Sequence, residues 1–316
     1  MAATATKADI EAQLAQEAID RPRGAYAALA SALFSVAGAA YSASALGDQP
    51  ASSMLGELSS VEKPGAIGAL HSQRAELFDY YSSHKFALLF GALLLGLAAL
   101  GAGFALRTLQ SAVRARAERF PAYGRHLPLI GALVVFAGSL LSVIGTIAYT
   151  DSALGTVRTV DAISDVSRGF LTFGLIIVQF GGLVLAGAYI VTALHAMRCG
   201  LLPRAWGIIG IFAGVMVVLP VAALSQLIQP VWLLVLALIF LGRYPGGAPP
   251  AWAAGVALPW PSAAEEARAK REEREGKQPS APKRAIAAPP SADDVEARAA
   301  AKPHPSSKKR KRKKRA

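Results

Sequence analysis

At 316 residues, with 53% hydrophobic and 17% charged residues, the chain carries far less charge than a soluble globular domain, for which about 25% is usual. The mean hydropathy of +0.38 points the same way, to a membrane protein. The net charge of +12 is unevenly placed: Lys and Arg outnumber Asp and Glu by 18 to 8 from Arg243 onward, and by only 15 to 13 before it. A single cysteine, Cys199, excludes an intrachain disulfide.

Residues 1–24 form a charged N-terminal segment, followed by the first of six apolar stretches. These are predicted as membrane spans at about 25–46, 86–106, 128–150, 170–194, 205–223 and 226–242, each near the length needed to cross hydrocarbon and free of Asp, Glu, Lys and Arg. Along span 1, Ala27, Ser31, Ser35, Ala39 and Ala43 recur every fourth residue, a smooth stripe suited to close helix packing. The Ala43-Ser44-Ala45 stretch also has the form of a signal-peptidase site, but 24 residues before the apolar run are long for a signal peptide's charged region.

The loop from Gly47 to Lys85 holds His71, Asp79 and His84. Eight residues separate the first two, two helical turns and too far for one ion, so no metal site is expected there. Tyr80 and Tyr81 fit an aromatic belt at a membrane surface. After span 3, Asp151, Asp161 and Asp165 alternate with Arg158 and Arg168, a pattern read most simply as solvated ion pairing. Gln179 is the notable polar group of span 4, and His195 lies at its end. Span 5 carries Gly210 and Gly214 in a GxxxG spacing, and Pro220 and Pro230 bracket a hairpin before span 6, with Gln226 and Gln229 near the turn.

Orientation follows from the Lys/Arg asymmetry. Lys7, Arg21 and Arg23 precede span 1; Arg107, Arg114, Arg116, Arg119 and Arg125 follow span 2; Arg198 and Arg204 follow span 4; the C-terminal segment is strongly basic. These alternate segments are predicted to be cytoplasmic, which places both termini inside the cell membrane. No ionisable group lies within a span, which argues against proton- or ion-coupled transport. No HExxH, GxSxG, P-loop or CxxC pattern occurs, so no catalytic residue, cofactor or enzyme activity is expected.

The segments LLPRAWGIIGIFAG from Leu201 and GRYPGGAPPAWAAGVALPW from Gly242 resemble a group of uncharacterised bacterial multi-pass membrane proteins, which share an LPRxxG turn and a GRxPGGxPPAW signature. The resemblance covers about residues 200–260 and implies architecture only. Trp206, Arg243, Tyr244 and Trp252 are expected to anchor the membrane interface, with the PPAW segment extended along the surface.

Residues 243–316 are predicted as a cytoplasmic basic tail, disordered because almost no large apolar residue follows Pro261. It ends in eight consecutive cations, Lys308, Lys309, Arg310, Lys311, Arg312, Lys313, Lys314 and Arg315. Each is worth about 1 kcal/mol near an anionic leaflet. With no interleaved aromatic residue for base stacking, anionic lipid is favoured over nucleic acid or a cytoplasmic protein. The expected fold is therefore an all-α integral membrane protein, a six-helix transmembrane bundle. The leading expectation is a non-enzymatic interaction or structural protein acting through this tail. The alternative is a small transporter or pore, as a homo-oligomer if the small-residue faces are used between copies. A polar cavity at mid-membrane would favour the alternative, and a closed, dry bundle the first.

Overall fold

The structure, a computed structural model, describes residues 7–50, 74–117, 120, 124, 126–156, 158–159, 162–163, 165–219, 222–245, 247–260, 267–268 and 271. The chain divides into two units, 1–260 and 261–316. Among its described residues the first unit is helical, with no strand. The helices are α1 (Lys7–Ala45), α2 (Arg74–Ser83), α3 (Lys85–Arg116), α4 (Leu127–Leu154), α5 (Gly169–Arg198), α6 (Arg204–Val218), α7 (Ala222–Phe240) and α8 (Ala251–Ala254).

Four of them, α1, α3, α4 and α5, are long and apolar enough to cross a membrane. Helices α6 and α7 are apolar but shorter. The apolar runs therefore mark one end of each of α1 and α3, whose other ends lie well beyond the run. Helix α1 starts at Lys7 and not near residue 25, because its first turns are built from Ala, Glu, Gln and Leu, all strong helix formers; Pro22 lies within it. Helix α3 likewise continues past its apolar run through Arg107 and Arg114 to Arg116.

Each apolar helix packs on the next in sequence, and α7 packs back on α1. The six form a closed ring, alternating up and down. Gly24 of α1 meets Thr108 of α3 while Gly38 meets Leu95, which fixes that pair as antiparallel. Helices α4 and α5 pack through glycines seven residues apart: Gly131, Gly138 and Gly145 lie against Leu185, Val178 and Leu171, and Gly174 and Gly181 against Ser142 and Val135. A period of 3.5 residues per turn keeps such a seam in register along two long helices. The ends of α1, α3, α5 and α7 that carry Arg21, Arg116, Arg198 and Arg243 thus fall at one end of the ring, here the basic end.

Helices α6 and α7 form a short hairpin that starts at the basic end. Val217, one residue from the end of α6, lies against Gly182 of α5. At 1.5 Å per residue that level is about 20 Å below the first residue of α5. The hairpin covers only part of the ring's height.

Residues 243–260, assigned to the tail by composition, belong instead to the folded unit. The three carbonyls that follow α5 need donors, as helix-end carbonyls do. Leu258 N–H donates to Cys199 at 3.0 Å, Trp252 Nε1 to Leu201 at 2.9 Å and Trp260 Nε1 to Leu202 at 2.9 Å. Gly200 turns the chain between α5 and α6 at φ +76°, and a Cβ there would collide with the Leu258 carbonyl. Trp252, expected among lipid headgroups, is 3% exposed.

Candidate functional site

The basic end is locked by one ion pair. Arg116 and Glu17 meet face to face, Nη2 donating to Oε2 at 2.8 Å and Nη1 to Oε1. Arg116 also donates to the carbonyls of Ala251 (3.1 Å) and Ala112 (2.9 Å), and Gln13 donates to Glu17 at 2.9 Å. The indole of Trp252 lies beside two guanidiniums, Arg21 at 4.8 Å and Arg116 at 5.6 Å from its ring centre. The Arg21 side chain donates to the Ile239 carbonyl at 3.3 Å. One cluster thus ties α1, α3, α7 and α8 together. Just above it Gln110 donates to Thr192 at 2.8 Å, joining α3 to α5 across the ring. Cys199 is buried beside this cluster, and burial pushes its thiol up, against the smaller opposing effect of Arg116. That makes it a poor nucleophile.

Above this lock lies a cavity of about 340 Å³, open on one side and lined by residues from all six apolar helices. Its floor includes Tyr189 and Leu233, both buried. Its polar side chains are Ser31 and Ser35 of α1, Gln179 and Tyr189 of α5 and Gln229 of α7. The Ser31 hydroxyl is spent on the Ala98 carbonyl. Ser35, Gln179 and Gln229 make no side-chain hydrogen bond among the described residues, and Gln179 is exposed. The hairpin is too short to close the ring at this height, so Gln179 stands at an open side.

The remaining predicted residues fall as follows. Ala27 and Ser31 lie against Gly101 of α3, and Gly210 and Gly214 face Trp232, Ala193 and Tyr189; these surfaces are occupied within the chain. Ala39 is half-buried on α1. Trp206 donates through Nε1 to the Tyr244 hydroxyl at 2.9 Å, and Arg243 is exposed. At the opposite end Asp79 pairs with Arg158 at 2.7 Å and Lys85 with Asp151 at 2.6 Å, while Arg168 lies over Tyr149 and His84 stacks on Tyr80. The ion pairing expected within the loop after span 3 is thus made by Arg158 to Asp79 of α2. His71, Asp161, the Gln226 side chain and the run Lys308–Arg315 lie outside the described residues.

No protein family, no curated protein and no solved structure matches the chain.

Proposed function

We propose that this is a membrane protein whose helical ring binds a small uncharged polar molecule and lets it pass across the bilayer. The cavity carries this reading. Carboxamides without partners are costly in hydrocarbon, where every polar group needs a hydrogen bond, and a bound polar molecule or water supplies one. The absence of a carboxylate, amine or imidazole among its described lining residues suits an uncharged solute.

In this proposal both termini are cytoplasmic, in agreement with the Lys/Arg pattern. The four long helices cross the bilayer. The α6–α7 hairpin enters from the cytoplasmic side and turns back inside the hydrocarbon, which is about 30 Å thick. Irregular backbone at that depth is tolerated where it borders a cavity. The interaction role expected of the polybasic tail rests on residues beyond the described ones. The cavity rests on described ones, and it tips the balance toward transport.

Proteoliposomes holding the full chain should exchange glycerol, a probe of small uncharged polar solutes, faster than protein-free liposomes. Replacing Gln179 and Gln229 together by leucine should slow the protein-dependent flux about tenfold, the loss of one or two net hydrogen bonds. Equal flux of glycerol and urea with and without the protein would remove the reading.

A further inference from the structure

We propose that the groove between α1 and α3 at the basic end binds the phosphate of an anionic phospholipid headgroup. The groove, about 560 Å³, is lined by Arg23 of α1 and by Arg107 and Arg114 of α3. Arg107, Ser111 and Arg114 are four and three residues apart and share one helical face. Glycine at position 24 lets α1 approach Thr108, which lines the groove, closely.

The charge balance favours an anion. Three guanidiniums face one carboxylate, Asp20, which accepts from Gln16 at 2.9 Å and lies 3.7 Å from Arg23. Among the described residues Arg107 and Arg114 have no carboxylate partner, unlike Arg116, Arg158 and Lys85. A planar guanidinium matches phosphate oxygens in a bidentate manner, and several around one groove suit a single phosphate. The hydroxyls of Thr108 and Ser111 donate to backbone carbonyls of their own helix, so the arginines do the binding.

The position selects a lipid over a free phosphate. Arg107 is the first charged residue after the apolar run of α3, where a bilayer's glycerol-phosphate layer sits. Phe104, one turn into the apolar side, lines the same groove and is 52% exposed. It offers a seat for an acyl chain that inorganic phosphate does not use. The site requires only that these helices sit in a bilayer, and it stands whether or not the cavity passes a solute.

The test is lipid retention by the full chain in mild detergent, read by native mass spectrometry, with phosphatidylglycerol and phosphatidylcholine offered separately. High salt screens contacts of exposed charges more than those made within a groove. Under those conditions the wild type should retain phosphatidylglycerol and not phosphatidylcholine. The Arg107→Gln/Arg114→Gln variant should bind phosphatidylglycerol about 30-fold more weakly, equivalent to about 1 kcal/mol for each arginine. The Arg107→Lys/Arg114→Lys variant should keep part of the affinity. Arg114→Gln alone, at an exposed position, should show an intermediate loss with unchanged melting, and it carries the test if the double variant fails to fold. Equal phosphatidylglycerol retention by wild type and Arg114→Gln would overturn the proposal, as would equal retention of phosphatidylcholine. Displacement of the lipid by excess inorganic phosphate would instead show a free-anion site and overturn it too.

Discussion

Replacing Arg116 by methionine should cost about 3–5 kcal/mol, because it leaves the Glu17 carboxylate buried without its partner. The Arg116 side chain is 0% exposed and that of Glu17 11%, so water cannot take over the lost contacts. Three further attachments go with the guanidinium: the carbonyls of Ala112 and Ala251 and the face of Trp252. Glu17→Met should be nearly as damaging, since it strands the arginine. The double replacement should recover much of the loss, because a buried pair exchanged for apolar groups is often nearly neutral. Arg116→Lys should not rescue, for an ammonium cannot reproduce the two-pronged contact. Thermal unfolding in mild detergent reads the whole cycle. Small, additive effects of the two single variants would show that the pair does not couple α1 to α3.

The second large effect is expected at the α4–α5 seam. A Cβ at Gly174 would sit 2.5 Å from the backbone nitrogen of Ser142 and 2.6 Å from its Cα; one at Gly145 would sit 2.5 Å from the backbone nitrogen of Leu171. Backbone cannot swing aside as a side chain can, so Gly174→Ala and Gly145→Ala should each cost about 1–3 kcal/mol by overpacking. Gly187, on the same helix as Gly174, has nothing within 4 Å of the added atom. Gly187→Ala should be neutral or stabilise by up to about 1 kcal/mol through helix propensity. Equal melting shifts at positions 174 and 187 would mean the seam is not packed as described.

The two cases show what the sequence can reveal. Apolar runs locate the helices, since hydrocarbon length and backbone hydrogen bonding leave little choice. They miss the start of α1 and the end of α3, because these helices continue through charged residues that are good helix formers. Small residues four apart stand out at Ala27, Ser31, Ser35 and Ala39 of span 1 and at Gly210 and Gly214 of span 5. The seam in fact uses glycines seven apart, a spacing visible in the sequence, whereas Gly182 borders the cavity. Glu17 with Arg116, Asp79 with Arg158 and Lys85 with Asp151 are separated by 99, 79 and 66 residues, and no local pattern announces such pairs. The burial of Trp252 escaped because an interfacial tryptophan and one that caps stray carbonyls look alike in sequence. Gln179 and Gln229 stood out as polar residues in apolar runs; that they line one space follows only from the closed ring and its short hairpin.

That space is the centre of the account, and its contact with water is the thing to measure. A single cysteine is placed at Ser35 or Gln229, with Cys199→Ala removing the native thiol, and each variant is reconstituted in liposomes. A Leu33→Cys variant is the reference, since that side chain is 68% exposed on the outside of α1. The account predicts that a small hydrophilic methanethiosulfonate reagent modifies positions 35 and 229 much faster than position 33, because thiolate forms only where water reaches. If positions 35 and 229 react no faster than position 33, the bundle is dry, and the transport reading is wrong.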